Sequence, residues 1–455
     1  MASETARPLW KKMIRRVMIV LLVPLALLAL TSVVLRVAAS KGEREALDGW
    51  SRIGRPMDAF EKRWPKRETN GPAGRIEVLC RPMGIDLAMD RDVKRDFSQP
   101  FAKELSPYCA GLWEDPSGHV PPIPEVVAAA LDDHSDALEE IRSILLGGER
   151  PLWKLDISAL YAAQMPRFVD QMDLQRVLLL RVLRDALEGR PDEALQWMEA
   201  SWALNEITLA RPELISKMVG IAVRRWQFAT LRKTGLSSGA WRPRLADSDL
   251  GPTLLDAYQY EAWLFMKTCR GAEDPFRALG GEDPGAVQRF LMRHFGFPYY
   301  TLCASQSSEA FREFVERMAR ETSCTPDTQA LSEDLEGMIS GWNILAAVAF
   351  PDFSQMWERT VRLRLEADLT RLVLEAGAAR ASGEGSWPAA LPAAESCPCP
   401  GMSWRYTRDG EGHIEIRIEN APPTDKAGIP LWFTSRPPDT AAGDPSGPDG
   451  DAEGR

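Results

Sequence analysis

Two ionisable residues sit among apolar neighbours at helical spacing, and they are the first candidates for chemistry in this chain. Arg225 falls between Met218, Ile221, Ala222 and Phe228 on a helical wheel, and Glu261 falls among Leu254, Tyr258, Leu264 and Phe265. A charge buried alone is strongly destabilising, so each needs a partner. The two segments are close in sequence, and the expectation is a buried Arg225–Glu261 ion pair that fixes the register of two neighbouring helices. The competing reading is catalytic. A carboxyl at Glu261 in an aromatic pocket would keep its proton to higher pH than a free side chain and could serve as acid or base. The structural bridge is the favoured of the two.

Cysteine and histidine offer less. Seven cysteines allow up to three disulfides in an oxidising compartment, with one left over. Cys80 and Cys109 bracket the first helical segment and form the expected bridge; Cys269, Cys303 and Cys324 are candidates among themselves. Free buried thiols are the alternative, because a chain of this size does not need disulfides to fold. Cys397, Cys399 and His413 would supply three soft ligands if the last hairpin folded back over its loop, but a fourth ligand is missing and a surface loop is expected. Asp132-Asp133-His134 has Ala130 and Leu138 nearby on the wheel, so no second ligand shares the face and a solvated helix edge is expected. No His-Glu-x-x-His, phosphate-binding loop or EF-hand pattern occurs, and four histidines leave little material for histidine catalysis. No metal site and no cofactor follow from this set. The aromatic run Phe290, His294, Phe295, Phe297, Tyr299 and Tyr300 is expected in the core rather than on a ligand or membrane surface.

The elements that would hold these residues are mostly helices. Val127, Leu131, Leu138, Ile141 and Leu145 recur at helical spacing until Gly147-Gly148. The central block is clearer: one helix over 168–188 ends at Gly189, Pro191 opens a second at its first turn, and Pro212 starts a third. The turn from Ala186 to Ala194 has the character of a tetratricopeptide (TPR-like) helix pair, but no 34-residue period accompanies it. Further helices are expected over 252–267, 286–295, 308–321 (with Ser308 as N-cap), 328–350 and 354–379. Beyond Gly383 the pattern changes. Segments 404–407 and 413–418 flank Asp409-Gly410-Glu411-Gly412 as a β-hairpin, and 431–434 adds a third short strand.

What places the whole is the amino terminus. Residues 17–35 carry no charge and are almost wholly apolar, with Lys11, Lys12, Arg15 and Arg16 just before them. Nineteen such residues make a helix of roughly 28 Å, close to the hydrocarbon thickness of about 30 Å. The basic cluster predicts a cytoplasmic amino terminus and sends the rest across the membrane. A cleaved signal peptide is the rival, with Val37-Ala38-Ala39 as its processing site, but the apolar run is longer than a signal core and Arg36 is out of place there. The net charge of −10 excludes nucleic acid as the expected partner. The expected partners are the membrane, through a single-pass anchor, and a protein of the cell envelope.

With Glu45-Ala-Leu-Asp-Gly-Trp50 after the anchor, the Gly189–Ala194 turn, Phe350-Pro351 before a long helix, and Gly385-Ser-Trp387-Pro388 leading into Trp404-Arg-Tyr406, the chain resembles a group of uncharacterised bacterial single-pass membrane-anchored helical proteins. Its last segment is similar to the short C-terminal sheet of pseudopilin-like proteins, with Cys397-Pro-Cys399-Pro-Gly401 where such loops often carry Asp-Pro. The resemblance implies architecture and no activity. The expected fold is therefore mostly α. A cytoplasmic stretch 1–16 and a transmembrane helix 17–36 lead into an extracytoplasmic helical bundle over 40–382. A small β element follows over 383–436, and a disordered acidic tail over 437–455. An interaction or scaffold role is the leading expectation, and an envelope hydrolase or ligand-binding protein using Glu261 is the alternative.

Overall fold

The apolar run lies inside one long helix, α1 (Ala6–Arg52), that continues well past it. In the computed structural model, residues 6–87, 100–236, 241–271, 290–321, 328–343, 345–346, 353–383, 385–420 and 431–437 are described. The acidic tail beyond 437, Cys324, Phe350-Pro351 and the expected helix start at 286–289 lie outside them. Pro24 is accommodated without breaking α1. The two halves of the helix differ in burial: Val20 and Leu30 are 69 % and 60 % exposed, whereas Ala46 and Trp50 are fully buried. This one apolar helix is long enough to cross a membrane.

The body is mostly helical. It comprises α2 (Gly71–Cys80), α3 (Pro100–Glu114), α4 (Glu125–Asp133), α5 (Ser135–Leu146), α6 (Phe168–Leu187), α7 (Pro191–Leu209) and α8 (Leu214–Thr234). It continues with α9 (Trp241–Ala246), α10 (Gly251–Gly271), α11 (Phe297–Arg320), α12 (Thr328–Met338) and α13 (Phe353–Ser382). Local chemistry sets several of these ends. Asn70 caps α2 by accepting from the Ala73 N–H at 3.1 Å. Gly189, at φ +75°, turns the chain out of α6, and Pro191 starts α7 where its missing N–H costs nothing. The helices α6, α7 and α8 pack side by side as the centre of the body, and α8 also meets α10 and α13.

Two expected boundaries differ. Ser308 does not cap a helix; it lies inside α11, which Pro298 opens in its first turn, and its hydroxyl accepts from Trp50 Nε1 at 2.9 Å. The helix expected over 328–350 stops at Met338. There Ser340-Gly341 loosens the chain, and Asn343 Nδ2 ties the following turn to Cys303 O at 3.0 Å.

The carboxy-terminal β element is a three-stranded antiparallel sheet in the order β1 (Ser403–Arg408), β2 (Ile414–Glu419), β3 (Trp432–Thr434). Its apolar side packs against the body. Trp404, Ile414, Ile416 and Phe433 belong to the same apolar core as Trp50 and the central helices. Trp404 Nε1 donates to Asp368 of α13 at 2.7 Å, and β3 pairs with the loop after α3 through Gly118 N–Thr434 O at 2.9 Å.

Candidate functional site

The loop from α7 into α8 builds a buried polar cluster from a short sequence. Pro212 prevents α7 from running on, so Arg211 and Glu213 turn inward and form a two-pronged ion pair with N–O distances of 2.6 and 3.2 Å. Both are almost fully buried. Arg211 also donates to Lys154 O at 3.0 Å, and Ser216 Oγ donates to Glu213 at 2.9 Å. Lys217, likewise buried, donates to Leu209 O at the end of α7. Its removal from water lowers its pKa to about 8, against the pull of Glu213 and Asp256.

Glu261, on α10, faces this cluster. Its Oε1 accepts the Leu214 N–H at 3.1 Å, so one helix supplies a capping carboxylate to the first turn of another. Removal from water dominates over that bond, and the carboxyl is pushed up to about 7, with nearby Glu213 adding repulsion. The arrangement can hold or release a proton near neutral pH. Among these groups, however, the visible hydrogen bonds all join one part of the chain to another, and Glu261 holds an N–H that α8 needs capped.

Arg225 is elsewhere. The expected Arg225–Glu261 pair does not form; Arg225 meets Glu366 of α13 at 2.8 Å. The reason is helical geometry: Leu214, where Glu261 docks, and Arg225 are 11 residues or about 16 Å apart along α8. Glu366 is fully buried and is approached also by Arg362 at 3.3 Å. Arg232, two further turns along α8, donates to Thr370 at 2.8 Å, and burial lowers it to about 10. Sequence reasoning missed Glu366 because Leu365 and Leu369 defined the inward stripe beside it. The available signal was the line Arg362, Glu366, Thr370, a polar row at i, i+4, i+8 on an otherwise apolar helix.

A small recess of about 220 Å³, open solvent included, lies between α8 and the sheet, lined by Trp113, Asp115, Arg232, Lys233, Trp432 and Phe433. Lys233 does not point into it as a free cation. Its ammonium donates to Ser117 O and His119 O at 2.9 Å and meets Asp115 at 3.3 Å. Burial lowers its pKa, with Asp115 opposing.

The cysteines give no nucleophile in this set. Cys80 and Cys109, expected to be bridged, are free and buried on α2 and α3, each packed into the core from its own helix. Burial pushes both thiols up, Cys109 to about 12. Cys269 and Cys303 are free as well, and Cys399 is disulfide-bonded. Cys397 is free and half-buried, so the Cys397, Cys399 and His413 ligand set is not assembled. Among the described residues, no group of three or more His, Cys, Asp or Glu side chains is placed to hold a metal. Asp132 pairs with Arg184 at 2.5 Å, as an exposed helix edge would.

The aromatic run is not core. Phe290 is 59 % exposed, Pro298 is buried, and His294 to Tyr300 otherwise lie half-buried along α1. Ser32 Oγ donates to His294 O at 2.8 Å, and Arg36 lies 2.7 Å from His294 Nδ1. The run is displaced from the interior because α11 runs beside α1, and its first turns meet the exposed half of that helix. No family model, curated protein or solved structure matches this chain. Its own geometry is therefore the guide to function.

Proposed function

We propose that the chain is a single-pass membrane protein with a cytoplasmic amino terminus, whose helical body stands on the far side of the membrane as an interaction platform for a protein of the cell envelope. The observation that carries this reading is the division of α1. Its apolar half is exposed to an extent that water would penalise, and its other half is built into the body's core through Ala46 and Trp50. The basic residues before the apolar run favour the orientation. The disulfide at Cys399 suits an oxidising compartment.

The non-enzymatic half of the reading rests on the buried charges. Arg225 with Glu366 and Lys233 with Asp115 tie elements of the body together, and Arg211, paired with Glu213 in its own loop, reaches across to Lys154 O. The TPR-like pair, α6 with α7, continues into α8, and this end of the body carries an apolar surface. Phe168, Val219 and Val223 form a small cluster there, with Val169, Ile215 and Met218 exposed around it. That patch is the face we assign to the partner. The test is a photo-crosslinking residue at Ile215 or Met218 in intact cells, with Val78 as a control on α2. A discrete adduct at the first two and none at Val78 supports the reading; equal, diffuse labelling at all three refutes it.

A second reading is favoured by one observation, the raised pKa of Glu261. An envelope hydrolase or ligand-binding protein could use that carboxyl as acid or base. Activity or ligand binding in the purified chain that is lost in Glu261→Gln, with stability retained, would establish it in place of the first.

A further inference from the structure

The segment that starts α11 is positioned to touch lipid. α1 and α11 run parallel, because successive contacts climb both helices together. Ser32 bonds His294 O, a Cβ at Gly42 would meet Ser305 at 3.4 Å, and Trp50 Nε1 bonds Ser308. The offset along this zipper is close to constant. Phe290 and Leu291, just before His294 in continuous helix, therefore stand level with residues 28–29 of α1. At about 1.5 Å per residue, that is about 10 Å inside the end of the apolar run at Leu35.

Three properties fit that depth. Phe290 and Leu291 are 59 % and 49 % exposed, a large apolar surface on two adjacent residues. About two turns higher, Tyr299 and Trp342 form a ring pair at 6.1 Å, with the tyrosine hydroxyl donating to Trp342 O at 2.6 Å. By the same offset Tyr299 stands level with Val37, just outside the apolar run, where amphipathic aromatics are favoured at a membrane–water boundary. Arg36 is exposed at that level, and Arg293, exposed and level with residue 31 by the same offset, has a long stem that can carry its charge up toward the phosphate layer.

We propose that the π-helical turn leading into α11 (Met292–Gly296, with Phe290 and Leu291 before it) is a second membrane contact. It lies in the leaflet through which α1 leaves the bilayer. The occupant of this apolar face is the lipid of that leaflet, since the face is continuous with the exposed side of α1 and reaches the same depth. Interfacial elements bury apolar side chains about 5–10 Å into the headgroup–acyl boundary, and this one differs in being fixed to a spanning helix by side-chain hydrogen bonds. The inference rests on α1 spanning a membrane.

The test uses the full chain in liposomes, with Cys397→Ser removing the half-buried thiol. An environment-sensitive fluorophore is attached at Leu291→Cys, with Phe290→Cys as a second variant should the first fail to fold. Leu28→Cys reports α1, and Arg320→Cys reports the far end of α11, about 39 Å above His294 at helical rise. With lipids bearing a quencher near the headgroup end of the chain, intensity at Leu291 falls by about half, as it does at Leu28, and stays unchanged at Arg320. Quenching at Leu28 with none at Leu291 overturns the proposal and leaves the anchor intact. No quenching at Leu28 means the membrane reading itself has failed. A label at Leu291 shielded from both lipid and aqueous quenchers is covered by protein, and that also overturns the proposal.

Discussion

Glu261→Gln isolates a single charge. The amide keeps an oxygen for the Leu214 N–H and nearly the same volume, so the substitution removes ionisation and little else. The ordinary value of 4.5 is pushed up to about 7 because the site strips water from the carboxylate. Below pH 4.5 the carboxyl is protonated in both folded and unfolded chains, and its contribution is fully present. Between about 4.5 and 7 the unfolded chain releases the proton and the folded chain retains it, so stability falls as pH rises through that window. At about 1.4 kcal/mol for each pH unit, the loss approaches about 3 kcal/mol, an upper figure because the side chain is only partly buried. Urea unfolding of the full chain in mild detergent, followed by tryptophan fluorescence, measures it. The variant and wild type should be nearly equal at pH 4.5 and diverge in favour of the variant toward pH 8. A difference that is flat with pH, or that grows on acidification, would refute the assignment.

Three other outcomes follow from the packing. Glu366→Ala should cost about 3–5 kcal/mol in the same assay, because Arg225 and Arg362 lose the buried carboxylate that both approach. Gly220→Ala should cost about 1–3 kcal/mol, since its new methyl would stand 2.3 Å from Leu209 Cδ2 in a buried contact between α7 and α8; an unchanged urea midpoint would show that Leu209 moves aside freely. Trp50→Phe leaves the Ser308 hydroxyl without its indole donor and should lower stability by about 1–2 kcal/mol, with proteolysis between α1 and the body as a second readout.

Secondary structure was legible where one face alternates with another. The α6–Gly189–α7 turn announced itself through a glycine and a proline whose backbone demands are local, and the three strands through their alternation and the Asp409-Gly410 turn. Partnership was not. Arg225 and Glu261 each looked misplaced for a sound reason, but a residue's need for a partner says nothing of its address. Glu366 is 141 positions away from Arg225, brought close only by the packing of α13 on α8. Glu261 answered a different need, an uncapped helix terminus, which a search for opposite charges does not find. The aromatic run was misread because its density resembles core, and only the parallel course of α1 and α11 shows which surroundings it meets. Serine at 308 looked like a cap since caps are its commonest helical role; here it serves the indole of Trp50.

The unbroken course of α1 from its apolar half into the core has a rotational consequence. A helix turns about 100° per residue, so with no flexible joint between the two halves, the bearing of the helix backbone at any point in residues 17–31 is keyed to the bearing of the Ile215–Met218 face on the body. A neighbour that grips both the apolar half of α1 and the body would find its two handholds in fixed phase. Inserting one residue after Leu28 would swing the lower handhold by more than a quarter turn while leaving the body's own fold untouched. The helix is then less a tether than an axle, and what it transmits is direction.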